Sequence, residues 1–225
     1  MHPGSANRRR LLELARAAAT GREVLVQLVD ESGTMDLGHD DVPVVELAAC
    51  VPGLIELLDE VPPYPGSGGE DWAAWYRAHR VVQLLGTIGP AARAAIPRLM
   101  FWMHHDPRGL GPCMALALGR IGGNEEIREL NTWFGVDDRK LRDGYLDGLA
   151  AAGQRAHETL LRITRDLHES EHARAAAIES LRVSGYAERD LAARALEMIA
   201  DDPSDFVRKS AAECLERLGR DHRKS

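Results

Sequence analysis

The chain has 225 residues, 44% of them apolar and 28% charged, and carries a formal net charge of −7 at pH 7. That apolar share supports a sizeable core and excludes wholesale disorder, and no uncharged apolar run approaches the ~20 residues a membrane span needs. Cys50, Cys113 and Cys214 stand far apart with no CxxC pair, which speaks against a zinc or disulfide framework and predicts reduced core thiols of a cytoplasmic protein.

Met1 to Arg10 are polar, and Glu13 and Arg16 interrupt the apolar segment that a signal peptide would place after Arg8-Arg9-Arg10. Apolar spacing predicts helices over Arg8–Ala19, Arg22–Glu31, Val44–Cys50 and Pro52–Val61. Loops separate them at Ser32 to Val42 and at the Pro/Gly-rich stretch Pro62 to Gly69. Between Arg22 and Arg77 there is no lysine or arginine, yet the interval holds twelve acids. Residues 1–70 carry five basic and twelve acidic side chains, whereas the remaining 155 residues are balanced. Residues 1–70 therefore read as an irregular acidic helical cap, and 71–225 as a separate repeat region.

From Asp71 onward the chain is punctuated. Gly89, Gly122, Gly153, Gly185 and Gly219 recur at gaps of 33, 31, 32 and 34 residues, each with a leucine four positions earlier: Leu85, Leu118, Leu149, Leu181 and Leu215. Such a period marks stacked units that cannot bury their apolar faces alone. The predicted helices are Asp71–Ile88, one from near Ala91 to His105, Gly111–Ile121, Asn124–Phe134, Asp138–Ala152, Gln154–Leu167, Glu171–Val183, Glu188–Ala200 and Ser204–Leu218. The expected fold is all-α, a solenoid of about four and a half stacked antiparallel helix pairs in a right-handed superhelix, with those leucines buried at equivalent sites.

The stretch VVQLLGTIGPAARAAIPRLMFWMHHDPRGLGPCMALALGRIGG resembles the HEAT-like repeat of the phycobilisome-lyase type. Leu85, Gly86, Ile88, Gly89, Ala95, Ile96, Pro97, Leu99, Asp106, Ala115, Ala117, Leu118, Gly119, Ile121 and Gly122 carry the resemblance. It is strong over residues 71–123, drifts over 124–219, and persists before residue 70 only as Val51-Pro52-Gly53-Leu54. The repeat serves many unrelated roles, so it specifies architecture and leaves function open.

The resemblance implies that the second helix of each pair lines a concave surface. Arg98, Arg162 and Arg194 each lie nine residues after a glycine of the series, and Arg128 takes the same place if its shorter repeat has lost a few residues. These arginines would form a row, with Asn131 and Arg165 on the same face and Trp102 and His105 beside Arg98. A row of like charges is relieved by a bound anion or acidic partner, or else by local pairing with Glu129, Asp166 or Glu197. Exposed Trp and Arg are common interaction anchors, so Trp102 reads as contact surface, whereas Trp72 and Trp75 read as filling between helical layers. His104-His105, His39, His157-Glu158, His168-Glu169 and His172 lack the spacing of a helical zinc site and read as solvated. No metal or cofactor is expected.

Nucleotide, hydrolase and zincin motifs are absent from the sequence, and with three lysines and an acidic balance the chain lacks the positive field that phosphate contacts require. The expectation is a non-catalytic protein-binding module, an adaptor or scaffold using the concave face, with neither nucleic acid nor membrane as partner. One alternative is a lyase or chaperone subunit holding a small molecule in the groove. Another is a neutraliser of a basic protein, which would dock on an acidic surface comprising Asp36, Asp40, Asp41, Asp59 and Glu60.

Overall fold

The computed structural model describes residues 3–18, 21–32, 44–60, 72–105, 109–133, 139–183, 196–197 and 199–221. These are all-helical, with no strand among them. They gather into two compact units, Met1–Gly122 and Gly123–Ser225. The boundary expected near residue 70 from composition does not coincide with this division, because helices on either side of it pack together in the first unit.

The first unit contains α1 (Pro3–Ala18), α2 (Arg22–Ser32), α3 (Val44–Ala48), α4 (Val51–Asp59), α5 (Trp72–Ile88), α6 (Ile96–His105) and α7 (Gly111–Ile121). α1 packs on α2 and α3, α2 and α4 pack on α5, and α7 receives both α5 and α6. α5 and α7 are the interior helices. Ala78, Val81, Val82, Leu85 and Ile88 of α5 are buried, as are Met114, Ala115, Ala117, Leu118 and Ile121 of α7. Gly86 allows the close approach: a Cβ there would stand 3.1 Å from the Ala117 Cα, a backbone atom that cannot step aside.

The second unit contains α8 (Asn124–Trp133), α9 (Arg139–Ala151), α10 (His157–Arg165), α11 (Glu171–Val183) and α12 (Asp205–Asp221). α8 packs on α9, and α11 contacts α9, α10 and α12. Ser170 and Ser204 cap the starts of α11 and α12, their hydroxyls accepting from the Ala173 and Val207 amides at 3.2 and 3.4 Å.

The same local sequence of conformations occurs once in each unit. α5 ends at Gly89, which has φ +67°, and a short 3-10 segment (Gly89–Ala95) leads into α6. α9 is followed by Gly153 at φ +62°, and a 3-10 segment (Gly153–Ala156) leads into α10. A left-handed residue stops a helix without strain only where no Cβ is present.

Leu85, Leu118 and Leu149 are fully buried and Leu181 nearly so. Leu215 is only partly buried, packed at the margin of a cluster of Ile178, Leu196, Ile199, Val207, Ala211 and Cys214. Gly219 does not stop its helix, since α12 continues to Asp221; a lone glycine inside a helix costs about 1 kcal/mol relative to alanine and is not by itself a terminator. Gly185 and most of the predicted helix 188–200 lie outside the described residues. The helix expected from Ala91 instead begins as 3-10 structure and becomes α-helical at Ile96.

Candidate functional site

α6 arranges the most distinctive surface of the first unit. Leu99, Trp102 and Met103, spaced i, i+3 and i+4, face inward and are buried. The adjoining stripe of Arg98, Phe101 and His105, spaced i, i+3 and i+7, reaches the surface. The Arg98 Cζ lies 4.7 Å from the Phe101 ring centre and 5.3 Å from that of Trp102, within cation–π range of both. Its Nε faces the Asp59 carboxylate at the end of α4. Phe101 meets Trp102 edge-on at 5.8 Å and stacks on His105 at 3.9 Å. The His105 Nδ1 donates to the Phe101 carbonyl at 2.7 Å, which orients Nε2 away from that bond. Phe101 is 41% exposed, a large ring held open to solvent by a helix whose other face is in the core.

Arg98, Trp102 and His105 thus belong to one contact chain, but Trp102 is not the exposed anchor expected from the sequence. It is 9% exposed, because its position shares the inward stripe with Leu99 and Met103. Phe101 takes that place. The signal for it was present in the sequence, three residues after Arg98 and four before His105. The Asp59 contact was not legible, since it joins residues far apart in the chain.

The other arginines of the expected row all belong to the second unit. Arg128, in the second unit, donates from Nε to the Asn124 carbonyl at 3.3 Å. Arg162 pairs with Asp166 one turn along at 3.8 Å. Arg162 and Arg165 border a shallow depression with Glu158 and Asp166, so carboxylates share that surface. Arg194 and the Asn131 side chain lie outside what the structure describes.

Among the described residues, five carboxylates between Glu23 and Glu60 have arginine partners. Glu31 accepts two hydrogen bonds from Arg10, at 2.9 and 2.8 Å. Glu46 pairs with Arg16 at 3.5 Å, Glu60 with Arg22, and Asp30 with Arg77 and Arg80 at 3.6 Å each. Asp59 and Glu60, expected to be part of an open acidic surface, therefore have arginine partners. Asp36, Asp40 and Asp41 fall outside the described residues.

At the start of α5, Trp72 is 40% and Tyr76 is 55% exposed, around a half-buried Trp75. Trp72, the first residue of α5, does not fill an inter-layer space as expected, since its ring is open to solvent. His157, expected to be solvated, is buried at 6% exposure, whereas His104, His105, His168 and His172 are solvated. Among the described residues no group of three or more His, Cys, Asp or Glu side chains is placed to hold a metal ion, and no helix is long and apolar enough to cross a membrane.

Each cysteine thiol is free of disulfide and points to a backbone carbonyl: Cys50 to Ala15, Cys113 to His79 and Cys214 to Ile178. Burial pushes the Cys113 thiol up to about 12 and that of Cys214 to about 11, so both stay protonated and unreactive near neutral pH.

No protein-family model matches the chain, and neither does any curated protein. Among solved structures it is similar to the crystal structure of an engineered protein from the Northeast Structural Genomics Consortium, at 14% identity and a TM-score of 0.42, covering 96% of this chain and 92% of that one.

Proposed function

We propose that this chain is a non-catalytic protein-binding module built from HEAT-like repeats, and that the Arg98–Phe101–His105 stripe of α6 is a contact surface for an acidic segment of a partner. The repeat reading is supported by the helix, left-handed glycine, 3-10 and helix succession at Gly89 and again at Gly153, each followed nine residues later by an arginine. The binding reading is carried by one observation: an exposed phenyl ring stacked on a histidine and in contact with a guanidinium. Aromatic and arginine side chains with restricted rotamers lose little entropy on docking and dominate protein interfaces. A partner carboxylate would approach the outer edge of Arg98 or exchange with Asp59. The test is affinity capture from the native source with wild-type chain, Phe101→Ala, and Arg98→Glu combined with Arg162→Glu, read by quantitative mass spectrometry. A specific partner is expected on wild type and lost from the variants while their helical circular dichroism is unchanged. Undiminished capture by both variants would end this reading.

The neutraliser alternative draws on the acidic N-terminal third. With Asp30, Glu31, Glu46, Asp59 and Glu60 already paired, it rests mainly on Asp36, Asp40 and Asp41. Reversal of those three charges should slow association with a basic partner more than it speeds dissociation, as electrostatic steering requires.

A further inference from the structure

A groove of about 240 Å³ lies between α5 and α7 in the first unit, and the α6 stripe does not border it. Its floor is Leu116 and Ala117, and its rim includes Ser32, Arg80, Thr87 and Arg120. The two arginines differ. Arg80 is committed, donating to the Asp30 carbonyl at 3.1 Å and lying 3.6 Å from the Asp30 carboxylate. Arg120 is half-buried and has no hydrogen-bond or carboxylate partner among the described residues. Its stem is laid against the α5–α7 contact, with Cδ 3.7 Å from where a Cβ on Gly86 would stand. The arginine stem thus runs along the surface where α5 and α7 meet.

The guanidinium meets no carboxylate among the described residues, and its planar fork of donors matches one. The hydroxyls on the rim set a second requirement. Ser32 Oγ donates to the Val29 carbonyl and Thr87 Oγ1 to the Gln83 carbonyl, both at 2.9 Å. Their protons are spent, so toward the groove these oxygens act as acceptors and call for N–H or O–H donors on the occupant. A cation with no partner among the described residues, beside two acceptors, complements a single carboxylate carried on a peptide backbone. Inorganic phosphate near neutral pH carries up to twice that charge and only one or two O–H donors on a compact ion, not N–H groups spread along a backbone, and the volume is below the ~300 Å³ at which pockets for larger ligands begin.

We propose that this groove is a second binding site, which takes an acidic side chain of a partner polypeptide onto Arg120, with its neighbouring backbone N–H groups on Ser32 and Thr87. The full chain, labelled with 15N, would be titrated with acetyl-Gly-Glu-Gly-amide while the Arg120 Nε–H resonance is followed. Saturable shifts are expected. The Gln-containing peptide should bind about tenfold more weakly or worse, as loss of a charge-assisted hydrogen bond implies. Arg120→Gln should weaken the Glu peptide by a similar factor with an unchanged melting temperature, and Arg120→Lys should fall between. No saturation, or equal binding of the Gln peptide, would overturn the proposal. Acetate binding as tightly as the peptide would overturn the peptide assignment, and tighter binding of inorganic phosphate would overturn the carboxylate one. Because α6 is untouched, Phe101→Ala should leave this titration unchanged, so this site and the α6 surface succeed or fail separately.

Discussion

Leu118 has no solvent exposure and lies on α7, which is packed by α5 and by α6. Truncation to alanine removes apolar contact and leaves a cavity whose lining relaxes only partly, so Leu118→Ala should lower stability by about 2–5 kcal/mol, read from urea denaturation. A loss below about 1 kcal/mol would mean that the position is not the packed core it resembles. The leucines were legible because the 3.6-residue period and the glycine punctuation agree on the inward face. Leu215 shows the limit: an identical local pattern does not say whether a further element covers the helix. Trp102 shows another, since a helical wheel places it beside both Arg98 and Met103, and only tertiary packing decides which side receives the indole.

Glu31 has a different signature. Hydrogen bonds first from Arg10 and then from Gln27 bring its carboxyl down to about 2. A group whose folded pKa is depressed stabilises the fold above its unfolded pKa, and that contribution disappears as pH falls through the folded value. The denaturation midpoint of the wild-type chain should therefore exceed that of Glu31→Gln near neutrality, and the two should converge as pH drops from about 4.5 toward 2. Because the pair is on the surface, 1 M salt should also narrow the gap. A gap independent of both pH and salt would assign Glu31 a packing role instead.

At the scale of elements, the turn before α12 is held to α11 by a buried ion pair. The Arg174 Nη2 donates to the Asp202 Oδ1 at 2.9 Å, with side chains 6% and 5% exposed. Asp202 also accepts from the Ser204 amide at 2.8 Å, and Arg174 donates to the Glu169 carbonyl at 2.6 Å. Asp202→Ala would leave a guanidinium buried without its counter-charge, at a cost of about 3–5 kcal/mol. Arg174→Met together with Asp202→Ala should be less damaging than Asp202→Ala alone, because no orphaned charge remains. Equal or greater damage in the double variant, measured by denaturant unfolding, would rule out charge burial as the cause. Neither partner was legible as a pair. Their 28-residue separation carries no local signal, and each residue alone reads as a solvated charge at an element end.

Across the whole molecule, charge is distributed in a way that composition conceals. In the first unit the ion pairs run between helices: α1 to α2 through Arg10 and Glu31, α1 to α3 through Arg16 and Glu46, α2 to α5 through Asp30, and α4 to α6 through Asp59 and Arg98. In the second, Arg162–Asp166, Arg182–Glu179 and Lys209–Glu213 join residues three or four apart, and the longer-range pairs, the buried Arg174–Asp202 and the surface Glu179–Arg217, both involve α11. Raising salt from about 0.05 to 1 M should therefore speed hydrogen exchange in α1, α2 and α4 more than in α10, whose Arg162–Asp166 pair is local. Uniform acceleration would show that the inter-helix pairs contribute nothing to how these elements are held. The acidic excess was legible from the sequence, but its neutralisation was not, because the arginines that meet it are spread over both flanks of the acidic interval.

The same pairing has a consequence for inheritance. Asp30 and Asp59 have their counter-charges on Arg77, Arg80 and Arg98, across the Pro/Gly-rich stretch that a recombination event or a designer would choose as a seam. A chimera joined there would bring carboxylates onto a foreign surface while leaving guanidiniums unanswered on the other parent. Ancestral exchange at that seam would be tolerated only where both sides travelled together, so the apparent two-part composition of this chain marks a place where it is hard to divide.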